Sequence, residues 1–241
     1  MGYERKIFDA PTDKSHETYR EIENKKLVLI AFEGEKTEYQ YFSYIRNSNE
    51  FSLRNRVEIE LIKRTKENKS ASSPTNVVES ILTVKEDDKR LKEIKSQYKG
   101  FDDSYDVFWI VVDREKQSSK EKNLQKAIKI CKDYNIEISL TNPTFEFWLL
   151  LHFDISKYNR EELYNNKKPS KRAKRYLETK LTEEIGSYNK SNIDTTFITL
   201  KRIIKALEQE KLFENDLEKI IENLGSNVGN LIEEILDFEE D

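Results

Sequence analysis

A single cysteine, Cys131, and two histidines, His16 and His152, occur in 241 residues. One thiol excludes a disulfide framework and a cysteine-based zinc site, and two imidazoles leave little for a histidine-held metal. No apolar run approaches the roughly 18 residues that a membrane span needs, and the first residues carry no signal-peptide core. A cytoplasmic location with no membrane partner is expected. An excess of positive charge is also missing. Lys and Arg number 42 against 46 Asp and Glu, a net charge of −4, so contact with nucleic acid has to rest on a local patch rather than on the global field. There is no G-x-x-x-x-G-K-[ST], and the chain is not itself a P-loop ATPase. Charge of both signs is what abounds: 37% of residues are charged and 36% hydrophobic, a heavily charged surface around one sizeable core.

The chain is organised around L-V-L-I-A-F-E-G-E-K-T-E-Y-Q-Y-F, residues 27–42. Leu27 to Phe32 is an uninterrupted apolar run, the pattern of a strand covered on both faces. Glu33 stands where the run stops, and Gly34 permits a sharp turn. Thr37 is placed to cap a helix carrying Tyr41, Phe42 and Ile45 on one face. Val57–Ile62 alternates and suits a peripheral strand. A polar loop then leads to a helix from about Thr75 to Gln97. Residues 106–113, D-V-F-W-I-V-V-D, give the strongest strand signal and end in an acid; alternation sets Val107, Trp109 and Val111 on one face. A helix from about Lys120 to Tyr134 turns Leu124, Ala127, Ile128 and Cys131 inward. Ile136–Leu140 is a further strand, and Asn142-Pro143 ends it. Thr144 is placed to cap an apolar helix from Phe145 to Phe153, with Phe145 and Trp148 on one face.

Strand and helix alternating over 27–153 predict an α/β fold, a mostly parallel four-stranded sheet flanked by helices. Beyond about residue 155 the pattern is helical only. The expected organisation is an arm over 1–25, a core over 26–155, and a helical portion over 156–241 packed on that core.

Four carboxylates each end or follow an apolar segment: Glu33, Asp113, Glu115 and Glu146. The carboxyl ends of parallel strands share one edge, where ligands bind in open α/β sheets, so Glu33 and the Asp113/Glu115 pair are expected within about 4–8 Å of one another, the span of a shared metal site. Crowded carboxylates repel, and a hard divalent cation is the usual reason to tolerate them. Glu146 is expected to face the same cleft; the plain alternative is a first-turn glutamate favoured by the helix dipole. A second feature is K-K-P-S-K-R-A-K-R, residues 167–175, with no acid in it. Lys167, Lys168, Lys171, Arg172, Lys174 and Arg175 form either a solvated helical face or a phosphate-binding patch on the side of Glu33 and Asp113, with Ser170 capping a helix aimed at a phosphate.

Three motifs, E-G-E-K-T-E-Y-Q-Y-F, V-V-D-R-E and N-P-T-F-E-F-W-L-L-L-H-F, in this order and spacing resemble the RloB family of Toprim-related proteins; G-S-N-V-G-N-L-I resembles that family's C-terminal helix start. The resemblance implies a Toprim-like site holding Mg²⁺ or Mn²⁺ through Glu33, Asp113 and Glu115, with Glu38 similar to a further acid of related nucleases. D-x-E stands here where D-x-D is usual. It implies cleavage of DNA or RNA, tRNA among them, in antiphage defence beside an ATPase of the same locus. Catalytic roles fall to Glu33, Asp113, Glu115 and Glu146, metal binding to Glu33, Glu38, Asp113 and Glu115. A non-catalytic module that binds nucleic acid or the ATPase is the alternative, and a nucleotidyl-transfer enzyme a weaker third.

Overall fold

A computed structural model describes residues 26–34, 36–54, 56–60, 73–86, 106–115 and 118–238. The expected arm, the loop after residue 62 and the far half of the helix reaching toward Gln97 lie outside the described residues. Five strands form one sheet: β1 (Leu27–Phe32), β2 (Arg56–Glu60), β3 (Val107–Asp113), β4 (Glu137–Asn142) and β5 (Gly225–Ser226), in the order β2-β1-β3-β4-β5. The first four are mutually parallel and β5 is antiparallel to β4. The α/β architecture and the helical C-terminal part are as the pattern predicts. The two-residue β5 is an addition: its sequence reads only as the approach to a helix. Its place at the edge comes from Asn227, whose carboxamide accepts from the Leu140 N–H at 2.6 Å and donates to the Ile138 carbonyl at 2.9 Å.

Alternation divides the apolar strand residues between two layers. Leu27, Leu29, Ala31, Phe108, Ile110, Val112, Ile138 and Leu140 pack under α2 (Pro74–Glu86) and α3 (Ser118–Tyr134), with Cys131 a buried core residue there. Val28, Ile30, Phe32, Trp109 and Val111 face α1 (Thr37–Asn47) and α4 (Glu146–Leu150). Asp113 follows Trp109 and Val111 in that alternation and so turns toward the layer of α1 and α4. The same apolar layer takes in side chains from α6 (Tyr176–Ile185), α7 (Leu200–Glu210) and α9 (Val228–Ile235). Between α4 and α6 lies α5 (Arg160–Asn165), and α8 (Leu217–Ile220) precedes β5.

Three local expectations need correction. Thr37 does not cap α1; its hydroxyl donates to the Lys190 carbonyl. The helix after Thr144 spans Glu146–Leu150 with Phe145 as its cap residue and no side-chain cap, and Gln209 supports the turn that follows by accepting from the Ile155 N–H. Ser170 starts no helix either. Residues 167–175 form turns, and α6 begins at Tyr176 behind Arg175. Proline at 169 and the repulsion among six cations both disfavour extending the helix backward.

A carboxylate buried at a helix start links α7 to α9. Glu210 accepts from the Gly229 N–H through both oxygens, at 3.2 and 3.1 Å, near the amino end of α9. Burial raises its pKa to about 7, against the pull of its Ser226 and Gly229 hydrogen bonds. A folded-state pKa above the unfolded one means stability that is complete below about pH 4.5 and lost as pH rises through about 7. Glu210→Gln is expected to remove that slope. Melting temperatures of the two proteins should diverge between about pH 5 and about pH 8, with the wild type falling relative to the variant.

Candidate active site

The carboxyl ends of β1 and β3 bring the first two acids together. The Glu33 N–H continues the parallel ladder to the Val111 carbonyl at 3.0 Å, and its carboxylate returns to accept from the Asp113 N–H at 3.4 Å. Glu33 is therefore directed across the strand pair rather than out to solvent, and is buried. Glu38, in the first turn of α1, is also buried. Its carboxylate lies against Gly34: a methyl group added there would stand 2.6 Å from Oε1. Glycine here lets the end of the Glu38 side chain lie against the backbone.

Burial raises the Glu38 pKa to about 7, with Glu146 and Glu33 adding to the effect and its own N–H and Lys190 opposing it. Asp113 is raised well above the usual carboxylate range by burial and by Glu38, Glu146 and Glu33. Four carboxylates from β1, α1, β3 and α4 thus share one site. Asp113 Oδ1 and the Thr141 hydroxyl, on register partners of β3 and β4, are buried with no hydrogen-bond partner among the described residues.

Glu146 is the exception in its charge state. Tyr188 donates to Oε1 at 2.8 Å and Lys190 approaches the same oxygen at 2.7 Å. Burial is the largest influence and opposes its ionisation, but the Lys190 charge together with the hydrogen bonds from Lys190 and Tyr188 outweighs it and holds the pKa below the usual range. Lys190 also meets Glu178 at 3.2 Å. Burial disfavours the ammonium and the two glutamates more than reverse that, so its pKa is raised. Neither Tyr188 nor Lys190 is marked in the sequence. They sit in S-Y-N-K-S-N, a polar connection between helices whose composition reads as a plain loop.

That loop is fastened to α1. The Lys190 carbonyl accepts from Thr37 and Gln40, Lys36 donates to Ser191, and Gln40 accepts from the Ile193 N–H.

Glu115 is placed differently from the other acids. It follows Arg114, which leaves the sheet toward Glu121 at 3.0 Å and the Ile221 carbonyl at 2.8 Å. Glu115 itself has φ 27°, in the left-handed region, and its N–H donates to the Pro143 carbonyl. It is not among the carboxylates that chiefly act on Asp113 or Glu38. The six basic residues of 167–175 are all exposed. One of them connects with the site: Lys174 donates to the Tyr188 carbonyl at 2.9 Å, and Tyr188 in turn holds Glu146. His152 is structural. Its Nδ1 lies 3.1 Å from the Trp148 carbonyl, which can only accept, so the ring proton belongs on Nδ1 and Nε2 accepts from Tyr41 at 3.0 Å.

Only oxygen donors line Glu33, Glu38 and Asp113, and their crowding with an unsatisfied Asp113 oxygen fits a hard divalent cation. Among the described residues no three acids, histidines or cysteines converge tightly enough to enclose an ion. Mg²⁺ does not ask for enclosure, since it is typically held by one or two carboxylates and keeps several waters.

Fold and site together define an open α/β protein with a buried acidic centre at the strand ends. A family profile described as RloB-like protein matches residues 28–235, most of the chain, and the protein belongs to that family. No curated protein and no solved structure matches it. No helix among the described residues is long and apolar enough to cross a membrane.

Proposed function

We propose that this chain is a Mg²⁺- or Mn²⁺-dependent nuclease of the Toprim-like type, hydrolysing phosphodiesters of DNA or RNA in antiphage defence under the control of a partner ATPase. The observation that supports this most is the gathering of Glu33 and Asp113 at adjacent strand ends with Glu38 of α1 beside them, and a buried Asp113 oxygen that no group among the described residues satisfies. Glu33 and Asp113 would hold the cation, which when bound would supply charge neutralisation at the phosphate and a more acidic water.

The chain's own groups do the rest. Glu33 is turned toward Asp113 by the bond from the Asp113 N–H. Burial raises the Glu38 pKa to about 7 in the absence of a cation, so a cation held beside it would draw off that proton. Glu146, ionised and gripped by Tyr188 and Lys190, keeps that cation-bearing loop against the site. The exposed cations at 167–175 supply sequence-independent attraction for the backbone. Control by the ATPase rests on the family resemblance alone.

The loose convergence of the acids favours a second reading, a non-catalytic module that binds nucleic acid or the ATPase. Incubation of labelled tRNA and plasmid DNA with Mn²⁺ separates the two. Wild type should cleave at least one of them, and Glu33→Ala should lose roughly 10²-fold or more of that rate. Binding without cleavage by both proteins would leave the module reading standing.

A further inference from the structure

Resting on the nuclease reading, we infer that Lys190 contacts the phosphodiester backbone of the substrate at the acidic centre, a binding residue contributed by the loop between α6 and α7. Three observations carry this. The side chain is 48% exposed although its ammonium sits on the buried Glu146, so the charge reaches from the acid cluster to the solvent rim. The loop is anchored to α1, the helix that presents Glu38, at the Lys190 carbonyl and at Ser191 and Ile193 just after it, which restricts where the ammonium can go. The Lys190 ammonium also bridges two carboxylates, buried Glu146 at 2.7 Å and the more exposed Glu178 at 3.2 Å, so it stands at the boundary between the acid cluster and solvent.

A phosphate entering a site of four carboxylates meets strong repulsion, and a cation already held at its edge offsets it. Glu146 and Glu178 orient the ammonium without enclosing it. A lysine donates three hydrogen bonds as a compact point charge, leaving capacity for a phosphate oxygen beside the two carboxylates. No bond is made or broken by this contact; it is electrostatic binding.

Removing Lys190 alone would strand a buried carboxylate, so the comparison is made in a neutral background. Glu146→Gln and Glu146→Gln/Lys190→Met are compared for binding a fluorescent DNA duplex and a tRNA transcript in Ca²⁺ over a salt series. A backbone contact predicts that the double variant binds more weakly to every sequence, that its plot of log association constant against log salt is shallower by about 0.9 on the duplex, and that its melting temperature equals that of the single variant. Lys190→Arg in the wild-type background should keep the full slope. Equal slopes and affinities for single and double variants would overturn the inference, leaving Lys190 as a counterion of Glu146 only. If the wild type itself neither binds nor cleaves either nucleic acid, the nuclease reading fails first, and the inference with it.

Discussion

Replacing Asp113 with asparagine is expected to make the cation-free protein more stable while abolishing hydrolysis. The Asp113 carboxylate is buried with Glu33, Glu38 and Glu146 around it, and one of its oxygens has no partner among the described residues. Asparagine keeps the size and the backbone N–H that Glu33 accepts, and removes one of the mutually repelling charges. An unsatisfied buried polar atom costs roughly 1–3 kcal/mol, and for a chain of this length each kcal/mol corresponds to about 2–4 °C. The variant should melt about 2–12 °C higher in EDTA. With Mn²⁺ present the order should narrow or reverse, because a ligand stabilises only the protein that binds it. Loss of turnover should be roughly 10²-fold or greater. Calorimetry with and without Mn²⁺ beside a cleavage assay checks both halves. A variant that melts lower than wild type in EDTA would show that crowding at Asp113 is already compensated.

Gly225→Ala is expected to be the most damaging single methyl group in the C-terminal part. Gly225 pairs with Asn142 at the end of β4 and lies against the backbone of Glu214 on its other side. An added methyl would stand 2.8 Å from the Glu214 carbonyl carbon and 3.0 Å from its Cβ. Main chain cannot swing aside as a side-chain end can, and the Ser226 N–H to Glu214 carbonyl bond at 3.0 Å would have to break or shift. A cost of roughly 3 kcal/mol or more follows from overpacking against a rigid neighbour. At Gly34 the obstacle is instead the far end of Glu38, so alanine there should move a carboxylate and spare most of the stability. Chemical denaturation of the two variants side by side tests the contrast. Comparable losses at both positions would mean that Glu38 is held as rigidly as main chain.

What could be read from the residues, and what could not, divides by range. Apolar runs such as Leu27–Phe32 and Val107–Val112 announce buried parallel strands because both faces are covered, and their acidic ends mark the side where Glu33 and Asp113 meet. Trp109 could be placed in the core from alternation alone. Lys190 and Tyr188 could not be found this way. Each owes its importance to a partner about 40 residues away across a turn, and no local pattern encodes that. Glu115 illustrates the opposite limit. Its spacing from Asp113 suggests a pair, but spacing cannot show that Arg114 turns toward Glu121 and Ile221 or that Glu115 itself takes a left-handed backbone. The basic run was misleading about its shape, since proline and mutual repulsion left it as turns.

The carboxamide of Asn227 has a bearing on the order in which the molecule can be made. It alone satisfies the Leu140 N–H and the Ile138 carbonyl by side-chain bonds, and these belong to a strand synthesised almost ninety residues earlier (|i−j| of 87 and 89 for the two bonds). Until the ribosome has delivered that asparagine, β4 offers an open edge and the sheet that carries Asp113 is unfinished on one side. Lys190 and the loop that grips Glu146 are likewise late arrivals, joined to α1 across more than 150 residues. Contacts of such separation form slowly. A nascent chain carries all four acids well before it carries the parts that hold them in register, so the acidic centre comes together only after Lys190 and Asn227 have been made.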